Sequence, residues 1–283
     1  RLNAANRVTF VYQPTLYTTN GPSFNTNYFG TSLDSEISDR LSSHIRAGAE
    51  VFHNTPVGID GGVDLRFKPV PSTSLRVGFQ RQPLQESLLS LPGVDFGGQV
   101  FGHVYSNLPS ASVSYENREH AMDASLTYTD GVYTGDNVDS NRRYSLESQL
   151  GKSLRSDRPY MRVAYSVNYT SFDHDADLQT GQPITRLTGG YFSPTRFLLN
   201  QGVLNLSHSF TRNMQWTANG AAGVQNVETS TASFSNTQFA SSFDTHLMWR
   251  FTPSNELRVT YDYLNVFNAF QRNYFRFSWR HYL

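Results

Sequence analysis

Arginine and carboxylate side chains recur at every second position of several segments, and they are the residues of this sequence best able to do chemistry. Asp64 and Arg66 alternate with Val63, Leu65 and Phe67. Guanidinium groups donate hydrogen bonds and carboxylates accept them, so such side chains can pair with one another or exchange contacts with a polar ligand. We predict that one set of them lines a polar surface: Arg46, Glu50, Asp64, Arg66, Arg76, Asp123, Glu147, Arg162, Asp244, Arg250, Arg258, Asp262, Arg276 and Arg280.

Catalytic and metal-binding patterns are weak. Ser207 and His208 are neighbours, and neighbouring residues of a strand point to opposite faces, so the pair cannot act as nucleophile and base. The 8 His residues lack metal-site spacing, and the 0 Cys exclude disulfides and thiolate ligands. Carboxylates cluster at residues 136–141 and 173–177, without the glycine and distal glutamate of a calcium-binding loop. We predict solvated loops there, no metal, no cofactor and no enzymatic activity.

Alternation with a period of two indicates that strands carry the charged side chains. Met161, Val163 and Tyr165 alternate with Arg162 and Ala164, and similar runs extend to the end of the chain. Turn signals such as those at residues 69–72 and 252–255 separate the runs. Helical periodicity is limited to a short turn around residues 86–89. We predict a single domain over residues 1–283 with about sixteen strands, or fourteen, since bacterial single-chain barrels have even numbers.

The composition predicts which face of these strands meets which surroundings. Hydrophobic residues make up 38%, charged residues 16%, and the mean hydropathy is −0.47. No apolar run reaches the roughly 18 residues of a spanning helix. The runs are nevertheless longer than the strands of soluble sandwiches, which remain the alternative. We predict an all-β, transmembrane antiparallel up-and-down β-barrel in the outer membrane of a Gram-negative bacterium, in contact with its lipid. The net charge of +0 gives no basis for nucleic-acid binding.

Aromatic residues near the ends of the runs fit the girdles that such barrels place at the membrane interfaces. The last run alternates Phe275, Phe277 and Trp279, a pattern common in the final strand of bacterial barrels, although the chain ends in Leu283 rather than Phe or Trp. Because the sequence starts at Arg1, we expect a mature or excised segment. The candidate girdle residues are Tyr12, Tyr17, Tyr128, Tyr169, Phe251 and Tyr282.

Four segments resemble motifs of the cellulose synthase C-component family, the tetratricopeptide-repeat porins that export polysaccharides. Residues 81–90 are similar to its Arg-x-Pro-Val-x-Asp-Ser-Leu-Leu-Ser segment, and residues 96–100 to its Trp-Gly-Gly-Val. Residues 134–138, followed by Asn141, resemble Thr-Gly-x-Asn-Val-x-x-Asn. Residues 189–194 match Gly-Gly-Tyr-Phe-Ser-Pro. The four occur in the family's order. The residues that carry the resemblance or form the loops around it are Arg81, Pro83, Glu86, Ser87, Leu88, Leu89, Ser90, Gly97, Gly98, Gly135, Asn137, Gly189, Gly190, Tyr191, Phe192, Ser193 and Pro194.

The resemblance implies a pore for polysaccharide export. Members of this family combine a periplasmic superhelix of tetratricopeptide repeats with a sixteen-stranded outer-membrane barrel. The barrel exports a nascent β-glucan such as cellulose, made by an inner-membrane synthase. This chain would be the barrel alone, with the linear polysaccharide in transit, the periplasmic repeat domain and the synthase complex as partners. Glu86, Leu91, Pro92 and Phe96 depart from the family pattern, and related exporters handle other glycans, so the polymer stays open.

Two roles are open for the loop at residues 83–98, which could gate the lumen or cover the rim. We expect residues 189–194 to form a constrained turn that leads into a strand. Two other kinds of barrel remain as alternatives to the exporter: a general diffusion porin, and an adhesin or receptor barrel with a plugged lumen.

Overall fold

The computed structural model describes residues 6–18, 24–52, 57–84, 89–90, 93–96, 98–177, 185–229, 237–266 and 270–282. None of these residues belongs to a helix long and apolar enough to cross a membrane. The described chain is built from strands: β1 (Asn6–Thr18), β2 (Phe24–Ser38), β3 (Leu41–Phe52), β4 (Gly58–Val70), β5 (Thr73–Pro83), β6 (Val94–Phe96), β7 (Gln99–Asn117), β8 (Met122–Asp136), β9 (Val138–Arg155), β10 (Tyr160–Phe172), β11 (Arg196–Thr211), β12 (Met214–Glu228), β13 (Thr237–Thr252), β14 (Asn255–Val266) and β15 (Phe270–Tyr282).

These strands form a closed antiparallel ring, which confirms the predicted all-β barrel. Each long strand pairs with the long strands next to it in sequence, β5 pairs with β7, and β1 pairs with β15 from Thr9↔Tyr282 to Thr18↔Asn273. In the described residues the ring has fourteen strands, and short β6 forms a hairpin with β7. Fourteen is the smaller of the two predicted counts. A count made from the sequence rises when a long strand is read as two runs, and β7 spans 19 residues.

The two faces of the wall differ as the alternation predicts. In β5, Leu75, Val77 and Phe79 point outward and are exposed, with Val77 at 62%. Arg76 and Gly78 face the lumen between them. Large apolar side chains cannot stay exposed to water in such numbers without cost, whereas acyl chains solvate them well. The outward face is therefore a lipid-contacting belt, and the strands turn their charged residues inward.

The two ends of the barrel differ in the length of their connections. The end where the chain turns within residues 39–40, 71–72, 118–121, 156–159, 212–213 and 253–254 is called here the short-turn end, and it also holds Asn6 and Tyr282. The opposite end, called the long-loop end, carries the connection at residues 173–195 between β10 and β11. In bacterial barrels, short turns face the periplasm and longer loops face the exterior.

The proposed aromatic girdle needs one correction. Tyr12, Tyr128, Tyr169 and Phe251 are exposed on the outward face, and the side chain of Tyr17 lies outside the described residues. Tyr282, in contrast, faces the lumen, because the register of β15 directs its even-numbered residues inward. Its hydroxyl donates to Glu256 Oε2 at 3.0 Å, and the guanidinium carbon atoms of Arg7 and Arg250 lie 5.7 and 5.8 Å from its ring centre.

Candidate functional site

The lumen wall is the first part of the candidate site. Along each strand, the charged residues predicted from the sequence alternate with exposed apolar residues, so the two kinds of side chain point to opposite faces of the wall. All of them therefore share the inward face: Arg46, Glu50, Asp64, Arg66, Arg76, Asp123, Glu147, Arg162, Asp244, Arg250, Arg258, Asp262, Arg276 and Arg280.

Many of these charges are paired across strands. Arg76 Nη2 lies 2.8 Å from Asp64 Oδ2, whereas Arg66, two residues from Asp64 on β4, donates from Nε to Ser74 Oγ at 2.7 Å. Glu256 is almost fully buried between Arg250 and Arg258, at 3.5 and 3.3 Å. Asp64 lies opposite Gly78, and Arg76 lies opposite Arg66, so Asp64 and Arg76 pair diagonally, a separation that long side chains span. The inward face of the wall therefore presents many hydrogen-bonding groups, while the positive and negative charges largely cancel.

Arg162 is the most heavily bonded of the lumen arginines described. Its Nε donates to Asp123 Oδ1 at 2.8 Å, and Nη2 also contacts Asp123. Nη1 donates to Asn205 Oδ1 and Nη2 to Gln149 Oε1, both at 2.8 Å. The network joins β8, β9, β10 and β11 across the lumen surface.

We expect Arg162→Met to lower the free energy of unfolding by about 1–3 kcal/mol, since it leaves charged and amide groups without their donor. The matched control is Arg155→Met, which removes an exposed pair with Asp157 in a short turn and should change stability by less than about 1 kcal/mol. Denaturant titration of both variants in lipid vesicles measures the difference. Equal effects would show that the network does not stabilise the wall.

An apolar cluster occupies part of the lumen at the long-loop end, and we call it the cap cluster. Tyr191 stacks on Tyr133 with ring centres 5.1 Å apart and planes at 21°, and Phe172 packs against Tyr133 at 5.2 Å. Beside the cap cluster, Phe192 packs against Phe197 and Val227. Its members come from wall strands and from the connections that follow β5 and β10, and all of their side chains are buried: Leu84, Val104, Tyr133, Phe172, Ala176 and Tyr191.

The segment at residues 84–90 joins the cap cluster through its described residues. Leu84 N donates to Val104 O at 2.8 Å, and Val104 N donates to Ser90 O at 2.6 Å. Leu89 O accepts from His103 N at 3.1 Å. Gly102 lies against Leu89 with φ +93°, and a Cβ there would overlap the Leu89 carbonyl group. A glycine is therefore required at Gly102 for this close approach.

The connection between β10 and β11 joins the cap cluster from the other side. Asn141 is fully buried; its Nδ2 donates to His174 O at 2.8 Å, and its Oδ1 accepts from His174 N at 3.2 Å. Ala176 N donates to Ser193 Oγ at 2.7 Å, and Ala176 O accepts from the amides of Gly189 and Gly190. Gly190 has φ +69°. These bonds hold Tyr191 in the lumen, and the segment leads directly into β11.

The segments singled out in the sequence therefore converge at one place. Gly135 abuts Gly102, Asn137 donates to Val100 O at 2.8 Å, and Leu89, Ser90, Ser193 and Pro194 are buried. Gly98 N donates to Asp95 at the tip of the β6–β7 hairpin. Arg81 lies apart on the outward face, its guanidinium 4.3 Å from the ring centre of Tyr105. Pro83 ends β5. Glu86, Ser87, Leu88 and Gly97 lie outside the described residues, as does most of the helical turn predicted there.

The aromatic partners of these segments lie outside the sequence motifs. Tyr133 and Phe172 were not singled out, although Tyr133 immediately precedes the segment at residues 134–138. Both are aromatic residues near the end of an alternating run, and this was the sequence signal that could have identified them.

The remaining chemical candidates stay apart in the fold. Ser207 and His208 lie on opposite faces of β11, with Ser207 accepting from Gln215 Nε2 at 2.9 Å. Within the described residues, no three His, Asp or Glu side chains are grouped as a metal site would require.

Solved structures share this fold. A bacterial polysaccharide outer membrane secretin matches with a TM-score of 0.64 at 10% sequence identity, over 100% of each chain. The OmpT protein of Vibrio cholerae, expressed in the outer membrane, matches with a TM-score of 0.50 at 8% identity, over 100% of this chain and 99% of that one. Such identities establish the fold alone. A closed antiparallel barrel with a lipid-contacting belt confirms the predicted location in the outer membrane.

Sequence comparison confirms the resemblance to a family. The profile described as cellulose synthase operon protein C C-terminus matches residues 54–247. This range includes the cap cluster and extends beyond the motif segments into β13. No curated protein sequence matches the chain.

Proposed function

Because the chain belongs to the family described as cellulose synthase operon protein C C-terminus, we propose that it is the outer-membrane pore through which a linear exopolysaccharide leaves the cell. The observation that carries this proposal is a lumen lined with paired charges and narrowed at the long-loop end by the cap cluster. A polymer in transit needs contacts that are favourable enough to enter and weak enough to leave. The fourteen charged residues of the wall are our candidates for these contacts with the polymer.

The family description supports cellulose or a related β-glucan as the cargo. Cellulose or a related β-glucan is uncharged and presents hydroxyl groups along its edges. Paired guanidinium and carboxylate groups can exchange hydrogen bonds with hydroxyl groups without a large net attraction to either sign of charge. The pore acts without catalysis and needs no cofactor. A periplasmic repeat domain and an inner-membrane synthase complex would deliver the polymer to the short-turn end.

We further assign the gate to the cap cluster. Its described side chains lie on β7, β8 and β10 and on the connections that follow β5 and β10, whereas the wall from β11 through β15 to β4 contributes no described side chain to it. A cap attached on one side can swing aside or leave a passage along the opposite wall. In a general diffusion porin or a plugged receptor barrel, the cap would be a fixed part of the rim.

The proposal is tested by recording the conductance of single channels in planar bilayers while linear β-1,4-gluco-oligosaccharides are added. We expect reversible block that strengthens with oligosaccharide length, because longer chains meet more of the lumen contacts. α-Linked glucans of the same length are the control and should block weakly. If neither the β-linked nor the α-linked oligosaccharides change the conductance, glucan export is contradicted and a general porin is favoured. A channel that stays closed, even after the cap is opened by mutation, would favour a plugged receptor barrel.

A further inference from the structure

A second feature of the lumen lies on β2, β3 and β4. Gly30 and Gly48 are paired with each other across β2 and β3, and both face inward. Next to them, Tyr28 leans along β2, and its phenol ring covers the inward surface of both glycines. A Cβ atom on either glycine would overlap the ring. The two glycines therefore create the space in which Tyr28 lies flat on the barrel wall.

The ring is also fixed at its far end. The Tyr28 hydroxyl donates to Asp60, whose two carboxylate oxygens lie 3.1 and 3.3 Å away on β4. One face of the ring lies on the backbone, so the other face is turned toward the lumen, where Tyr28 lines a recess of about 580 Å³. A ring held at both ends loses little conformational freedom when a ligand stacks on it.

Hydrogen-bonding side chains line the same recess as the ring. Arg46 lies flat over Gly62, and within the described residues its Nη2 is buried without a hydrogen-bond partner. Arg280 Nε is likewise buried without a hydrogen-bond partner in the described residues. Both arginines line the recess with Tyr28 and Asp60. A flat aromatic surface rimmed by donors and acceptors is what a pyranose ring requires, because its faces are weakly apolar and its edge carries hydroxyl groups.

We propose that Tyr28 is a stacking platform for one pyranose unit of the polymer, with Arg46 and Asp60 as hydrogen-bonding partners for its hydroxyl groups. The proposal deepens the export function and rests on it. It places the sugar on β2, in a recess that Leu84 of the cap cluster also lines. Binding of a simple anion is the competing explanation, since Arg7, Arg46, Arg276 and Arg280 outnumber Asp34 and Asp60 around the recess.

The test measures block of single channels by neutral β-1,4-gluco-oligosaccharides, which removes the contribution of anion binding. Tyr28→Ala should weaken block about tenfold or more, the usual cost of truncating an aromatic anchor. Tyr28→Phe should retain most of the wild-type affinity because the ring remains. Gly48→Ala should weaken block as well, since its methyl group displaces the ring. Gly220→Ala is the matched control, because nothing lies within 4 Å of a Cβ at that position.

The outcomes separate this inference from the proposed function. Wild-type channels that oligosaccharides do not block would overturn export of this polymer. Wild-type channels that are blocked, together with an unchanged Tyr28→Ala variant, would overturn the platform alone. If Tyr28→Phe lost as much affinity as Tyr28→Ala, the hydroxyl group rather than the ring face would bind the sugar, and stacking would be rejected. Inorganic phosphate that competes equally in wild type and Tyr28→Ala would identify anion binding as separate from the platform.

Discussion

Replacing Val77 with arginine should prevent the barrel from assembling in the membrane. Val77 is near the middle of β5, points outward and is 62% exposed. A guanidinium group on the lipid face near the bilayer midplane costs about 2–4 kcal/mol, a large part of the stability of an ordinary fold. The fraction of folded protein in vesicles, followed by denaturant titration and by a gel that separates folded from unfolded barrel, measures the effect. Leu65→Arg and Val259→Arg should behave in the same way.

The matched control for that variant places the same charge on the other face. Ser112 lies on β7, which pairs with β5, and it faces the lumen beside Arg76 and Asp64. Ser112→Arg therefore adds an arginine at a similar depth in a polar environment and should assemble normally. Normal assembly of Val77→Arg would contradict the assignment of the outward face to lipid. Failure of both variants would indicate that bulk at this depth, rather than charge in lipid, is responsible.

Replacing Tyr191 with alanine should open the pore. Tyr191 is 2% exposed and stacks on Tyr133, so its truncation removes the centre of the cap cluster. Loss of a buried aromatic side chain costs about 3–5 kcal/mol, which would shift the ratio of docked to undocked cap by about 100-fold or more. We expect a higher open probability, or a higher conductance, in single-channel recordings. Deletion of residues 85–95 should act in the same direction, because it removes Leu89 and Ser90.

The control for the cap is Leu187→Ala. Leu187 belongs to the same connection but is 53% exposed and outside the cap cluster. The conductance of the Leu187→Ala channel should equal that of the wild type. If Tyr191→Ala and the deletion also left conductance unchanged, the cap cluster would be a static part of the rim, and the gate would have to be sought elsewhere in the lumen.

Much of the barrel could be predicted from the sequence because strand faces are a local property. Side chains of a strand alternate with a period of two whatever the strand pairs with. The positions of Leu65, Val77 and Asp64 in the sequence were therefore enough to assign each to a face. The family motifs were recognisable for a similar reason, since each is a contiguous segment.

The partners of these residues could not be predicted, because they depend on the register between strands that are distant in sequence. A shift of register between β4 and β5 would give Asp64 a partner other than Arg76. Likewise, the alternation along β15 already turns Tyr282 toward the lumen, but only the pairing of β15 with β1 and β14 brings Arg7 and Glu256 to its side chain.

The sequence by itself determined a barrel with an apolar outside and a charged inside, because alternation and membrane solvation act on each strand separately. Only the tertiary structure decided which segments meet. It brings the segments at residues 84–90, 134–141 and 189–194 together around Tyr133 and Tyr191, and it lays Tyr28 across Gly30 and Gly48. Both arrangements depend on the register between strands and on the path of the connections, which no periodicity within a strand encodes.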